Sequence, residues 1–390
     1  MNIEDIRNDI LNYNDKLFFN SASSSLPATS VVKKITDYLI EEQQIGGYKI
    51  EEERSEDING FYVQSSKLLG CKPNNIAFAY NSTDAYSKAL LSIDFKKNDV
   101  IITSDDDYVS NHFQFIALQK RIGVKIIRIK TLVNGDLDIH NFKELVAKYH
   151  PKLVAVTHVP TNSGLVQDVV TIGGICSQNN ILFLLDACQS VGQLVVDVKK
   201  IKCDFLVVTG RKWLRGPRGT GILYVSNNVL DQGLYPLTID GNGALWNKED
   251  DFEIFKTAKR FELFESSRAL VVGFAEALRY LNAIGIEQVE STNKNLITKL
   301  RTNLNDIKGV KIFDKGSVTS SILTFRKEGK SLEEIKTKFQ KNNVFYSVSA
   351  KPWGFIDFEK KDIDWVIRLS PHYFNTEKEI NKVSEIIESI

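Results

Sequence analysis

The chain has few of the residues that bind metals or form disulfides. Its 390 residues include four cysteines and five histidines, and no two cysteines have the CxxC spacing. This scarcity argues against a zinc site or a disulfide framework. It favours a reducing compartment, in which thiols pack as small apolar side chains. We therefore expect a cytoplasmic protein without a metal.

The chain also has no excess of positive or negative charge. The formal net charge is +1 and charged residues make up 25% of the chain, which is the ordinary level for globular proteins. This balance gives no support for nucleic acid or a membrane surface as a partner. The N-terminal residues do not resemble a signal peptide, and the longest apolar runs have only the length of a strand, so we expect no membrane span. Function must then depend on a local site.

Short apolar runs recur through the first part of the chain. They occupy residues 76–80, 100–103, 124–129, 153–159, 181–187, 205–210 and 221–225. Most are apolar throughout and several are separated by amphipathic stretches, a pattern typical of α/β proteins with a largely parallel sheet. From about residue 265 the pattern changes to a long helix followed by mixed strands and helices. We predict a large domain at 15–265 and a smaller α+β domain at 266–390, with residues 1–14 packed alongside it.

Polar residues follow the predicted strands where ligands bind in open α/β sheets. Asp186 comes directly after one apolar run, and Lys212 follows the next run along the chain. Alone, Asp186 reads most simply as a helix cap and Lys212 as a solvated loop residue. Together with Ser82 and Thr83 at a predicted helix start, they suit pyridoxal 5'-phosphate (PLP). That cofactor needs a lysine, a carboxylate for its pyridine nitrogen and donors for its phosphate.

Two stretches carry a resemblance to a known family. "LLDACQSVGQ" followed by "TGRKWLRGPRGTGILYV" resembles the class V aminotransferase family of fold-type I PLP enzymes. That family includes cysteine desulfurases, isopenicillin-epimerase-like proteins and C–S lyases. The resemblance extends from about residue 18 to residue 380. It implies a three-layer αβα large domain around a mixed, mostly parallel seven-stranded sheet, and a homodimer.

The resemblance also implies the roles of five residues in cofactor binding and catalysis. Lys212 would form the Schiff base with PLP, and Asp186 would pair with the pyridine nitrogen. Gln189 would lie near the phenolic oxygen of the ring. Ser82 and Thr83 would bind the phosphate.

Five further positions match the family's motifs, four of them with a different residue. Thr209 and Arg211 stand where serine and histidine commonly contact the phosphate, and Arg211 adds a planar fork of donors. Tyr108 replaces a histidine that stacks on the ring, and Thr161 replaces an asparagine. Arg368 matches the arginine that binds the substrate carboxylate, for which a bidentate fork is well suited.

Two departures from the family pattern bear on function. The C-terminal region at 344–368 contains no cysteine, whereas cysteine desulfurases carry a reactive cysteine there, so the sequence argues against a desulfurase. Cys188 is interpreted as a small buried residue. Phe264 and Glu265 replace a Gly-Thr pair that contacts the partner's phosphate, and we hypothesise that Arg211 supplies the missing contact.

The sequence thus predicts a PLP enzyme that acts on a small α-amino acid. We expect a C–S lyase that eliminates a sulfur group from a cysteine S-conjugate. An aminotransferase or an epimerase is the alternative, because all three pass through the same carbanion. A different class, a nucleotide-binding protein that uses "RGPRGTG" as an anion loop, lacks the residue order of a P-loop. The sequence assigns no role to Arg215 and Arg218 in that loop.

Overall fold

A computed structural model describes residues 2–13 and 16–390 of the chain. Its strands are β1 (Leu17–Phe18), β2 (Ile76–Ala79), β3 (Val100–Thr103), β4 (Lys125–Arg128), β5 (Leu153–Thr157), β6 (Leu182–Asp186), β7 (Phe205–Thr209), β8 (Gly221–Val225), β9 (Ala244–Lys248), β10 (Asp251–Ile254), β11 (Val310–Ile312), β12 (Leu323–Lys327), β13 (Val344–Phe345), β14 (Ser347–Ala350) and β15 (Trp365–Leu369). Its helices are α1 (Ile3–Asn8), α2 (Thr29–Ile45), α3 (Gly47–Glu53), α4 (Ser55–Leu69), α5 (Ser82–Leu91), α6 (Val109–Ile122), α7 (Ile139–Tyr149), α8 (Val169–Gln178), α9 (Val198–Ile201), α10 (Asn227–Asp231), α11 (Arg268–Ile284), α12 (Ile286–Asp306), α13 (Leu332–Lys341), α14 (Phe355–Lys361) and α15 (Glu377–Glu388).

The central element is a seven-stranded sheet in the order β2-β8-β7-β6-β5-β3-β4. Strand β8 is antiparallel to both of its neighbours, and the pairs from β7 to β4 are parallel. Each of the seven apolar runs forms one of these strands. The α/β fold with a mixed, mostly parallel sheet is therefore confirmed.

The inner strands are apolar throughout because the sheet is covered on both faces. Every residue of β5, β7 and β8 is buried, and the side chains of the sheet divide between two hydrophobic clusters. Complete burial of one large apolar side chain contributes about 1.5–3 kcal/mol. Together these strands hold the polar residues at their carboxyl ends in fixed positions.

The C-terminal part forms an antiparallel sheet in the order β11-β12-β15-β14. Helices α12, α13 and α15 contribute to the hydrophobic cluster on this sheet, as the predicted α+β pattern indicates. Strand β1 pairs with β13 of this part, although the predicted large domain includes it. The boundary at residue 265 stays a prediction, and residues 1, 14 and 15 of the predicted ranges lie outside the described residues.

Helix α11 begins after the cap residue Ser267 and ends at Gly285, where φ is +92°. It packs against α2 and α4, so its apolar residues belong to the protein core. No single helix in the described ranges is long and apolar enough to cross a bilayer. Only α11 and α12 taken together reach that length, and they are bent by 78° at their junction.

Candidate active site

The carboxyl ends of β5, β6 and β7 meet the start of α5 around one pocket of about 600 Å³, counting the solvent at its mouth. Its lining includes most of the predicted site residues, namely Ser82, Tyr108, Thr161, Asp186, Gln189, Thr209, Arg211 and Lys212. Arg368 contacts this set through Thr161. The side chain of Thr83 is exposed and does not line the pocket.

Asp186 is the last residue of β6 and is buried. One carboxylate oxygen, Oδ2, accepts a hydrogen bond from Nδ2 of Asn111 at 3.0 Å. The other, Oδ1, accepts one from the backbone N–H of Cys188, also at 3.0 Å. These donors partly offset the cost of burying a carboxylate. They also hold Asp186 at the floor of the pocket, where a cationic N–H group would complete its pairing.

A second buried carboxylate, Asp107, supports this arrangement and was missed by sequence reasoning. Its Oδ1 accepts hydrogen bonds from Asn111 and from the backbone N–H of Tyr108, both at 2.8 Å. Burial raises the pKa of Asp107. Asn111 therefore links the two carboxylates. Asp107 directly precedes Tyr108, the cap of α6, and Asn111 lies in the first turn of that helix. The signal in the sequence was therefore a carboxylate and an amide on either side of a helix start.

Lys212 lies in the turn after β7 and is buried. Burial lowers the pKa of Lys212 to about 8, and the positive charge of Arg211 acts in the same direction. A neutral amine is therefore accessible near physiological pH. The next residue, Trp213, is anchored by a hydrogen bond of 2.8 Å from its Nε1 to Oε1 of Gln189.

A glycine permits this close packing around Lys212. Gly192 has a φ of +96°, and a Cβ there would come within 2.7 Å of the backbone carbon of Trp213. A side chain at this position would push the lysine turn away from Gln189. The loop after β6 and the turn after β7 are thereby held against each other.

Three predicted residues, of which Gln189 and Thr161 line the pocket, form a connected hydrogen-bonded set. Nε2 of Gln189 donates to Oγ1 of Thr161 at 3.0 Å, and Nη1 of Arg368 donates to the same hydroxyl. Burial lowers the pKa of Arg368 to about 10, with Arg211 contributing. Among the described residues, Nε of Arg368 has no hydrogen-bond partner. This buried cation therefore retains a donor for an anionic ligand.

The start of α5 provides the remaining end of the pocket. Asn81 caps this helix by accepting from the N–H of Asp84, and Ser82 is the first helical residue. The N–H groups of Ser82 and Thr83 therefore belong to the positively polarised helix terminus, which favours an anion. Burial lowers the pKa of Arg211, which lines the same pocket. A phosphate is the group that fits this end.

Comparison with known proteins identifies the family. The sequence pattern of the family described as aminotransferase class-V matches residues 17–383. The chain belongs to this family. It is a PLP-dependent enzyme, as its lysine, carboxylate and anion-binding helix start predict.

The class V relatives also correct the predicted activity. A probable cysteine desulfurase of Methanothermobacter thermautotrophicus is 28% identical, with 100% of this chain and 98% of that protein aligned. One of Pyrococcus abyssi is 25% identical, with 99% and 97% aligned. A cysteine desulfurase of Thermococcus onnurineus has the same fold, with a TM-score of 0.91, 24% identity, and 100% and 98% of the chains covered.

The expectation of a C–S lyase, with an aminotransferase or epimerase as its alternative, is therefore wrong. So is the argument against a desulfurase. That argument depended on one missing cysteine at 344–368. A missing cysteine removes one possible sulfur acceptor, but it leaves in place the residues that bind the cofactor and the amino acid, which sulfur release also requires.

The residues of this class V site fit PLP. Ser82, the start of α5 and Arg211 are suited to the phosphate, Asp186 to the protonated pyridine nitrogen and Lys212 to the aldehyde carbon. The spare Nε donor of Arg368 is suited to the carboxylate of an amino acid. When bound, PLP supplies an electron sink for the bonds at the substrate Cα.

Replacing Arg211 with alanine should weaken PLP retention, because the pocket would lose its guanidinium beside the start of α5. We expect the dissociation constant of PLP to rise by about 10- to 100-fold, which is the usual loss of affinity when one hydrogen bond to a charged group is removed. The measurement is fluorescence titration of apoprotein with PLP. Arg218, which is exposed, is the matched control. Equal effects of Arg211→Ala and Arg218→Ala would contradict the hypothesis.

The structure assigns Arg215 a structural role that the sequence left open. Its side chain is buried, and Nε donates to the backbone oxygen of Leu26 at 2.7 Å. Nη1 donates to the hydroxyl of Tyr373 at 2.8 Å. The guanidinium also lies 5.2 Å from the ring centre of Phe374. Arg215 therefore ties the lysine turn to the C-terminal part of the chain.

Replacing Arg215 with methionine should lower stability more than turnover. Loss of two charged hydrogen bonds and a cation–π contact should lower the free energy of unfolding by about 2–5 kcal/mol. Denaturant titration followed by tryptophan fluorescence measures this change. Arg218→Met is the control and should change stability by less than about 0.5 kcal/mol. An Arg215→Met variant as stable as wild type would contradict the assignment.

Proposed function

We propose that this PLP enzyme is a cysteine desulfurase, which takes L-cysteine and leaves L-alanine. The proposal is carried by one observation: Lys212 and Asp186 line one pocket, and Arg368 is hydrogen-bonded to Thr161 in the wall of that pocket. The chain that provides them aligns over almost its whole length with proteins named probable cysteine desulfurases.

The geometry supports a distinct task for each residue. The guanidinium of Arg368, positioned by Thr161, binds the carboxylate of cysteine. Nζ of Lys212 is a base of suitable strength to take the proton from Cα, because its pKa lies at about 8. The carboxylate of Asp186, held by Asn111, would keep a proton on the ring nitrogen of bound PLP. Trp213 and Gln189 hold the lysine turn in place.

The proposal predicts alanine as the organic product. Purified holoenzyme given L-cysteine and dithiothreitol should produce alanine and sulfide in equal amounts, measured by chromatography and by a sulfide assay. D-cysteine is the control and should give neither product, since Arg368 and Lys212 fix the orientation of Cα. Formation of pyruvate and ammonia in place of alanine would overturn the proposal.

We further propose that the enzyme is a homodimer. The β9–β10 hairpin exposes apolar side chains: Trp246 is 81% exposed, and Leu245 and Phe252 are exposed beside it. Leu237, 81% exposed, precedes the hairpin. Trp246 and Phe252 pair directly across the hairpin. Large apolar side chains that are exposed together favour a protein contact, and a second copy of the chain is the occupant we propose.

Replacing Trp246 with glutamate should therefore convert the dimer to a monomer. A charge at the centre of an apolar interface is buried without a partner, which should raise the dimer dissociation constant by about 100-fold or more. Light scattering coupled to size-exclusion chromatography measures the mass. Lys248→Glu, at an exposed end of β9, is the control. A wild-type protein that elutes as a monomer at micromolar concentration would refute the dimer.

A further inference from the structure

The four thiols of this chain are poorly placed to accept sulfur from a substrate. Cys176 and Cys203 are buried in the main hydrophobic cluster, and burial raises the pKa of both. Cys71 is partly exposed, and burial raises its pKa to about 12. None of these three lines the pocket. A thiol attacks as its thiolate, so these groups are unreactive at neutral pH.

Cys188 is the one cysteine that lines the pocket, and it is also unsuited to attack. Its backbone N–H is held by Asp186, and its Sγ lies 3.9 Å from the backbone oxygen of Val207. Burial raises its pKa, and the negative charge of Asp186 acts in the same direction. A thiol beside a carboxylate in a closed site remains protonated.

The segment that covers the outer wall of the pocket is fixed in place. This cover segment is residues 351–361, which include α14, and its Gly354 and Asp357 line the pocket. Lys315 bridges Asp106 and Asp357 at 2.7 and 2.8 Å. A Cβ on Gly354 would come within 2.2 Å of Nδ2 of Asn162. Breaking pairs that are this well buried would leave an uncompensated charge, so the segment is held firmly at this point.

A second ion pair ties the cover segment to the strand ends. Lys360 contacts Asp105 at 2.6 Å, beside the mouth of the pocket, where Tyr108 is 37% exposed. If a side chain of this segment carried sulfur out of the pocket, the segment would have to move, and the movement would break these ion pairs. Inside the pocket, Asp186, Cys188 and Lys212 are only 4–9% exposed, so a small molecule reaches sulfur bound there more readily than the loop of another protein does.

From these positions we infer that the sulfur acceptor is a small diffusible thiol and not a cysteine of this chain. The inference rests on the proposed desulfurase function. The thiolate attacks Sγ of the bound cysteine and forms a new S–S bond, while the Cβ–Sγ bond breaks. Its electron pair stays on Cβ, which takes the proton that the thiol gave up. One thiol and one cysteine thus yield one persulfide and one alanine.

A single-turnover experiment tests this inference. Holoenzyme in excess over L-cysteine leaves no free cysteine to act as an acceptor. Without added thiol, the alanine yield should fall at least about tenfold below the yield with millimolar 2-mercaptoethanol, because only the added thiol supplies a reactive thiolate. The mass of the intact protein should not change. Cys71→Ser, at the most exposed thiol of the chain, should give the wild-type yields.

Three other outcomes separate the possibilities. Alanine formed without added thiol, together with a protein heavier by one sulfur atom, would overturn the inference and leave the desulfurase proposal standing. If a small protein with a reduced dithiol raised the alanine yield as much as 2-mercaptoethanol does, the assignment of the acceptor to a small molecule would be overturned. Absence of alanine in every arm, while PLP remains bound, would overturn the proposed function itself.

Discussion

The Lys212→Ala variant should lose turnover of cysteine and the covalent attachment of PLP together. No other lysine lines the pocket in the part of the chain that the structure describes, so no substitute amine is at hand. We expect kcat to fall by at least about 10³-fold, since both the covalent link and the base at Cα disappear. Borohydride reduction followed by mass spectrometry should detect PLP on the wild type and none on the variant.

A matched control separates this effect from a general loss of lysine. Lys200→Ala removes an exposed lysine of α9 and should leave kcat and the borohydride adduct unchanged. The Lys212→Ala variant should also fold, because alanine removes a cation that is costly to bury. A Lys212→Ala protein that still forms the reduced adduct would mean that another residue holds the cofactor.

Much of this arrangement could be predicted from the sequence, because it depends on local patterns. The apolar runs give the strands, and the strand ends place Asp186 and Lys212 at one edge of the sheet. Arg215 is different: its partners Leu26, Tyr373 and Phe374 are far away in the chain. No periodicity links such positions. The same applies to the ion pairs that fix the cover segment.

The predicted activity was wrong for a related reason. Motifs at Asp186 and Lys212 specify proton transfer at Cα, which several reactions share. What happens to the sulfur depends on which nucleophile reaches it. On the proposed desulfurase function, that choice depends on the pocket mouth near Asp105, Asp106 and residues 351–361. The presence or absence of one cysteine in the sequence does not show which nucleophile reaches the sulfur.

The Asp186→Asn variant should retain PLP but lose most of its turnover. An amide preserves the shape of the side chain, yet it removes the negative charge that keeps a proton on the ring nitrogen. We expect kcat to fall by about 10²–10³-fold, the usual effect of removing one preorganised electrostatic group. The Michaelis constant for cysteine should change little, since Arg368, the proposed ligand of the substrate carboxylate, is unchanged. Steady-state kinetics and the absorption spectrum of the bound cofactor measure both effects.

Asp107→Asn is the matched control, because Asp107 lies in the same hydrogen-bond network. Burial raises the pKa of Asp107, which brings this carboxyl group closer to the neutral form that asparagine imitates. Its hydrogen bond with Asn111 acts on Asp186 only indirectly, so kcat should fall by less than about tenfold. If the two variants lost equal turnover with the same spectral change, the charge of Asp186 would have no special role. The hydrogen-bond network that Asn111 forms with both carboxylates would then matter as a whole.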